Sequence, residues 1–338
     1  MKKTRQIVGF LMMVLMFGCN NGQHETEVQG AAQATTYHIK LILDDKTSAS
    51  LEDIKRQISI TLAEIDAQMS NYREDSEISR INKQETSEWL PVSREIADLL
   101  VIAQTIYQHT NGCYDLTIKP LFDLWGFSAH ENRVPTDEEI AEVLPNIGMS
   151  HLEVDVNNQR IKKLNPKIKI DLSSIAQGYS VGVVAKRLQT LGIQNYMVEI
   201  GGEMQVKGHK ANGDYWRIGV ETPNPLSRTM QKVIDIREQA GTAVMTAGTY
   251  RNFFEDKGAT YSHIINPKTG RPVTHSLRSV TVMHEDPAWA DAWDTALLCV
   301  GEQEAMRIAE QENIKALLIY DQDKELKEYM SQAFQATQ

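Results

Sequence analysis

Apolar positions recur at two spacings along this chain, and each predicts a different kind of element. Recurrence at three and four residues predicts helices over Leu51–Met69, with Ile54, Ile58, Leu62 and Ile65 on one stripe, over 93–110, over 136–144 and over Glu302–Gln311. A further helix opens at Asp286-Pro287 and closes at Gly301, and a short one follows the polar stretch MSNYREDSEISRIN with Ser76 as its cap. Alternation predicts strands at 36–43 (TYHIKLIL), in YMVEIGGEMQVKG and YWRIGVETP, then in VIDIRE, AVMTAG and SVTVM, and at 315–320 before a turn at Asp321-Gln322-Asp323. HLEVDVNNQRIKKL reads as a hairpin turning at Asn157-Asn158. IKIDLSSIAQGYSVGVVAKRLQTLG reads as a strand running straight into a helix that ends at Gly192. Gly201-Gly202, between Glu199 and Glu203, suggests a bulge or a backbone brought close to a ligand. Strands and helices come in runs with antiparallel hairpins rather than a strict βαβ rhythm, so the expected class is α+β.

Composition adds limits. The 338 residues suffice for one large domain or two small ones. A formal net charge of −10, with no Lys/Arg cluster beyond the extreme N-terminus, argues against nucleic acid as a partner. Lys2, Lys3 and Arg5 precede an apolar run from Ile7 to Phe17 that is too short to span a bilayer. With Gly18-Cys19 behind it, this resembles a bacterial lipoprotein signal over 1–19, in which Cys19 carries the lipid. The expected location is therefore a lipid anchor in the inner membrane, facing the periplasm. Residues 20–35 are small and polar and read as a flexible tether, leaving 36–338 as the folded domain. Of the three cysteines, Cys113 and Cys299 lie in that domain, and the expectation is that they are free, buried thiols.

Candidate chemistry gathers in three places. On the helix DPAWADAWDTALLCVG, Asp291, Asp294 and Thr295 fall at i, i+3 and i+4, so their oxygens share one face. Alone, that face also reads as solvated helix surface; as a ligand set it offers hard oxygens suited to magnesium. Asp171-Leu172-Ser173-Ser174 stands at a strand-to-helix junction, where free N–H groups suit a phosphate, or where the same side chains cap the helix. His263 lies in a strand-like run that ends at the turn Asn266-Pro267-Lys268-Thr269-Gly270; alone, a His in a strand is more often structural than a proton acceptor.

Six elements in order, MSNYREDSEISRIN, GCYDLTIKPLFDLWGF, IDLSSIAQGYSVG, VEIGGEMQVKG, TAGTYRNFF…HIINPKTG and DAWDTALLCVG, resemble the ApbE family of FAD:protein FMN transferases across nearly the whole chain. The resemblance implies a T-fold-like α+β architecture, with two lobes around a flavin cleft. It implies magnesium-dependent transfer of FMN from FAD to a Thr or Ser hydroxyl of an acceptor flavoprotein, releasing AMP. Expected acceptors are subunits of membrane redox complexes of the Na+-translocating NADH:quinone reductase or Rnf type. Carried over residue by residue, the metal ligands are Ser174, Asp291 and Thr295. The flavin contacts are Tyr72, Cys113, Tyr114, Asp115, Asp171, Gln177 and Ile265, and His263 is the base. Asp294 stands where the family more often has a small residue, as an additional ligand or a residue behind the ligands. Gln33-Ala34, Gln177 and Ala247 depart from the family's usual Met-Gly, Lys and Ser, which bears on FAD affinity and acceptor choice. An FAD pyrophosphatase and a non-catalytic FAD-binding lipoprotein are the alternative functions.

Overall fold

The structure, a computed structural model, describes residues 22–45, 47–128, 131–224 and 229–338; the expected signal and Cys19 lie outside them. The first half runs β1 (His24–Ala32), β2 (Thr35–Leu43), α1 (Leu51–Met69), α2 (Glu77–Lys83), β3 (Trp89–Pro91), α3 (Arg94–His109), α4 (Lys119–Trp125) and α5 (Asp137–Val143). Next come β4 (Leu152–Asp155), β5 (Arg160–Lys163), α6 (Ala176–Thr190), β6 (Tyr196–Ile200), β7 (Glu203–Lys207), β8 (Trp216–Glu221), β9 (Met230–Ile236) and β10 (Thr242–Gly248). The chain ends with β11 (Phe253–Asp256), β12 (Ala259–Ser262), β13 (Ile265–Asn266), β14 (Arg271–Pro272), β15 (Leu277–His284), α7 (Pro287–Val300), α8 (Glu302–Gln311), β16 (Lys315–Gln322), β17 (Glu325–Met330) and α9 (Gln332–Gln335).

Eight strands form one antiparallel sheet in the order β1-β2-β6-β7-β10-β15-β16-β17, so the class is α+β. Alternate side chains feed opposite layers. Ile39, Leu41, Ala243, Met245, Val280 and Val282 join the helices of the main core. Val206, Val244, Met283, Leu317 and Ile319 meet the β8–β9 hairpin and Phe334 on the other side. A smaller aromatic cluster of Leu121, Trp125, Phe127, Ile140, Ile147 and Ile265 makes the second lobe, with Phe254 and Tyr261 packed on it. The working cleft lies between it and the main body.

Three expectations need correction. The stretch read as a tether contains β1, which pairs with β2 over nine residues from His24↔Leu43 to Ala32↔Thr35. As an edge strand it buries only Val28 and turns Glu25 and Glu27 toward Lys40 and His38, so its composition looks like that of a linker. Residues 168–171 join no sheet. The Asn82 side chain donates to Ile170 O and accepts from Ile170 N, at 2.8 and 2.7 Å, taking the two backbone groups a neighbouring strand would take. Gly201 and Gly202, at φ 63° and 103°, form a two-residue hairpin turn between Ile200 and Glu203 rather than a bulge, while Gly201 does border the cleft, in line with the other alternative.

Candidate active site

Helix α7 carries the centre of the site. Its start is fixed locally: the Asp286 carboxylate accepts from the N–H groups of Ala288 and Trp289, and Pro287 occupies the first turn. The rest of α7 is almost wholly buried, and Asp291 and Asp294 are 5% and 1% exposed, so the face is not solvated helix surface. Glu203, the first residue of β7 after the glycine turn, is also buried. One carboxylate oxygen from each of Glu203, Asp291 and Asp294 lies within 4.8 Å of the others.

The protein satisfies this cluster only in part. Asp291 Oδ2 accepts from Gly178 N at 2.7 Å, and Glu203 Oε2 accepts from Thr246 N at 3.1 Å. Thr295 Oγ1 donates to Asp294 Oδ1 at 3.2 Å, while Asp294 Oδ2 is buried with no partner. Burial pushes Asp291 up to about 7, against the Gly178 hydrogen bond. Burial first, then the charge of Asp291, raises Glu203 well above the carboxylate range; burial, then Glu203 and Asp291, does the same to Asp294. Three acids this close cannot all ionise without a cation. An all-oxygen set with an unpartnered buried oxygen fits a hard divalent ion such as Mg2+.

Gly178 sets the approach of α6 to α7. A Cβ there would stand 2.6 Å from Asp291 Cβ, a distance side chains do not reach. Gly178→Ala is therefore expected to push the helices apart, break the bond to Asp291 and cost about 2–3 kcal/mol, checked by urea unfolding.

The cluster opens into a cleft of about 370 Å³. Every flavin, metal and base position expected from the sequence lines it: Tyr72, Cys113, Tyr114, Asp115, Asp171, Ser174, Gln177, His263, Ile265, Asp291 and Thr295, with Asp294. Tyr72 stands at the rim, 69% exposed. The Ser174 hydroxyl and the Tyr114 phenol lie 3.2 Å apart. Burial raises that phenol's pKa well above its ordinary value, the Ser174 bond opposes this, and Asp291 and Asp294 add to it. Asp115 is committed to its own segment, accepting from Thr117 N, Thr117 Oγ1 and Met149 N, and burial lifts it to about 6 against those bonds. Asp171 likewise closes a turn onto Ser173 N. Helix α6 starts only at Ala176, so Asp171 and the serines lie in the turn before it and do not cap it. Gln33 and Ala34 sit in the β1–β2 turn, where Gln33 donates to Ser180 Oγ, and are not among the cleft-lining residues.

His263 follows β12 on the aromatic side of the cleft. Its Nδ1 lies 2.9 Å from the Asn252 carbonyl, which can only accept, so Nδ1 carries the proton and Nε2 the lone pair. Burial lowers its pKa, and the Asn252 bond opposes this. The ring is thus neutral near pH 7 and able to take a proton.

Three features escaped the sequence reading. Glu203 joins the acid cluster, and its only sequence signal was its place behind the paired glycines. Arg251 and Lys119 line the cleft as its two fixed cations among the described residues. Cys113 and Cys299 are not free thiols but form a disulfide across 186 residues, with Cα atoms 5.9 Å apart.

Relatives define the class. A FAD:protein FMN transferase of Vibrio cholerae is 39% identical over 330 residues, covering 97% of each chain. One of Haemophilus influenzae is 34% identical, covering 97% of this chain and 96% of its own. The solved flavin transferase ApbE from Vibrio cholerae superposes with a TM-score of 0.86 at 38% identity, over 94% of this chain and all of that one. The Pseudomonas stutzeri flavinyl transferase ApbE, in its apo form, gives 0.84 at 31% identity, over 93% and 97%. The protein is an enzyme of the transferase class. The ApbE family model matches residues 34–318, and the chain belongs to that family.

Proposed function

We propose that this protein moves the FMN group of FAD onto a Thr or Ser hydroxyl of an acceptor flavoprotein, releasing AMP, with Mg2+ required. The relatives' names supply the flavin and the transfer. The observation that carries the reading is the charge of the cleft. Five acidic side chains line it (Asp115, Asp171, Glu203, Asp291 and Asp294) against two fixed cations among the described residues, Lys119 and Arg251, and the three clustered acids ionise together only with a cation. A dianionic diphosphate enters such a cleft only with a cation that cancels the acid cluster.

The chain's own residues divide the work. Tyr72 offers an aromatic face at the rim for the flat flavin ring. His263 Nε2 accepts the proton of the acceptor hydroxyl as its oxygen bonds to the FMN phosphorus and the P–O bond to AMP breaks. Asp291, Asp294 and Glu203, with the hydroxyls of Ser174 and Thr295, are the groups that would hold Mg2+. The ion would supply charge neutralisation on the diphosphate.

The same reading places the enzyme outside the cytoplasm, anchored through Cys19 at the inner membrane. The Cys113–Cys299 disulfide supports an oxidising compartment. Tethering raises the effective concentration of an acceptor held in the same membrane, which suits subunits of Na+-translocating NADH:quinone reductase or Rnf-type complexes.

The test mixes purified protein with FAD, Mg2+ and such a subunit and reads flavin fluorescence on the acceptor band in a denaturing gel. A band that vanishes with EDTA is expected. Free FMN and AMP with no labelled acceptor would instead identify a pyrophosphatase, and intact bound FAD a carrier.

A further inference from the structure

The disulfide joins two walls of the cleft. Asp291, Thr295 and Cys299 fall at i, i+4 and i+8 on α7, so one face of the helix carries two expected metal ligands and the sulfur. All three border the cleft, as do Cys113, Tyr114 and Asp115 on the opposite segment. That segment leaves α3 through two left-handed residues, Asn111 (φ 49°) and Gly112 (φ 80°). It is next fixed at Asp115, by the bonds to Thr117 and Met149. Between these points, Tyr114 is tied by its N–H to Thr110 Oγ1 and by its hydroxyl to Ser174. The one covalent tie is the bond to Cys299.

The reduced form is accommodated as well. Cys299 Sγ lies 3.0 Å from the Cys113 carbonyl oxygen, an acceptor within reach of a Cys299 thiol once the two sulfurs move apart. Both redox states therefore fit the fold, and they differ in how firmly the 111–116 segment is held against α7.

We propose that Cys113 and Cys299 form a redox-controlled positioning pair for the cleft. Oxidised, they fix the Tyr114 segment against the ligand-bearing face of α7 and hold the flavin pocket in its binding shape. Reduced, they let the segment swing on Asn111-Gly112, and affinity for the dinucleotide falls. The step balances simply. Closing the S–S bond releases two protons and two electrons from the thiols to a disulfide of the thiol–disulfide oxidoreductase class, which leaves as a dithiol. Reduction runs the same exchange in reverse. The flavin part of this inference rests on the function proposed above.

The experiment compares oxidised, dithiothreitol-reduced and re-oxidised full-length protein with Cys113→Ala/Cys299→Ala. Three quantities are measured: FAD affinity with Mg2+, KM and kcat for FAD, and amide hydrogen exchange over 111–116 without ligand. Reduction is expected to weaken FAD binding about 5- to 10-fold, raise KM in parallel with a smaller change in kcat, and speed exchange in the segment. Re-oxidation with glutathione disulfide should restore the wild type, while the double variant behaves as reduced throughout and ignores dithiothreitol. FAD bound in no state, with exchange still rising on reduction, would keep the positioning pair and remove the flavin reading. Equal FAD affinity in both redox states would overturn the proposal and leave the flavin reading intact. So would maleimide labelling of both cysteines in unreduced, denatured protein.

Discussion

Asp291→Ala is expected to lower kcat/KM for FAD by about 10³-fold or more. Asp291 is the acid on which the site converges. It belongs to the carboxylate cluster, its Oδ2 is anchored by Gly178 N, and it lies on the α7 face that borders the cleft. Charge neutralisation of a diphosphate by a bound cation is worth several kcal/mol in the transition state. Losing about 4 kcal/mol of it corresponds to that thousandfold. Part of the loss should be recoverable with raised Mg2+, because Asp294 and Glu203 remain. Steady-state kinetics across a Mg2+ series checks both points. Full activity in the variant would remove the acid cluster from the mechanism.

His263→Ala is the second large effect, with kcat expected to fall by about 10²- to 10⁴-fold while FAD still binds. The distinction matters because His263 takes no part in the acid cluster; its ring is held by Asn252 on the other lobe. The sign of the pH dependence follows from its environment. Burial lowers the pKa below the ordinary 6.5, so the neutral, proton-accepting form is the main one at pH 7. Wild-type kcat should therefore rise with pH through a limb below 6.5 and then level. The variant should lose that limb. A variant retaining both kcat and the limb would show that another group takes the proton.

Much of this architecture was legible because its determinants are local. Ser76, Thr136 and Asp286 each accept from backbone N–H groups one turn on, so their helix starts could be read from a few neighbouring residues. The stripe Ile54, Ile58, Leu62 and Ile65 is buried along α1, as its period requires. The positions carried over from the family converge on one cleft for the same reason: each sits in a short motif with its own geometry. What was not legible depends on partners distant in sequence. Nothing near Glu203 announces that α7 will bring Asp291 and Asp294 to it, and nothing near Cys113 points to Cys299. The segment 168–171 has the composition of a strand but loses its ladder to the Asn82 side chain. His24–Ala32 has the composition of a linker but gains a strand's pairing from β2. In both cases a neighbour decided what the local pattern left open.

Thermal unfolding of the wild type and Asp294→Asn, without FAD and at pH 8, in EDTA and in Mg2+, tests the central claim most directly. Burial and the neighbouring acids raise the Asp294 pKa in the folded state. A raised carboxyl favours folding only at low pH, and that contribution is lost as pH rises through the folded value, so at pH 8 the wild type carries a cost that asparagine lacks. In EDTA the variant should melt about 3 °C or more above the wild type. Mg2+ should raise the wild type more than the variant, because the ion binds the folded acid cluster. A variant that melts lower in EDTA, or gains as much from Mg2+ as the wild type does, would contradict a cation site built from Glu203, Asp291 and Asp294.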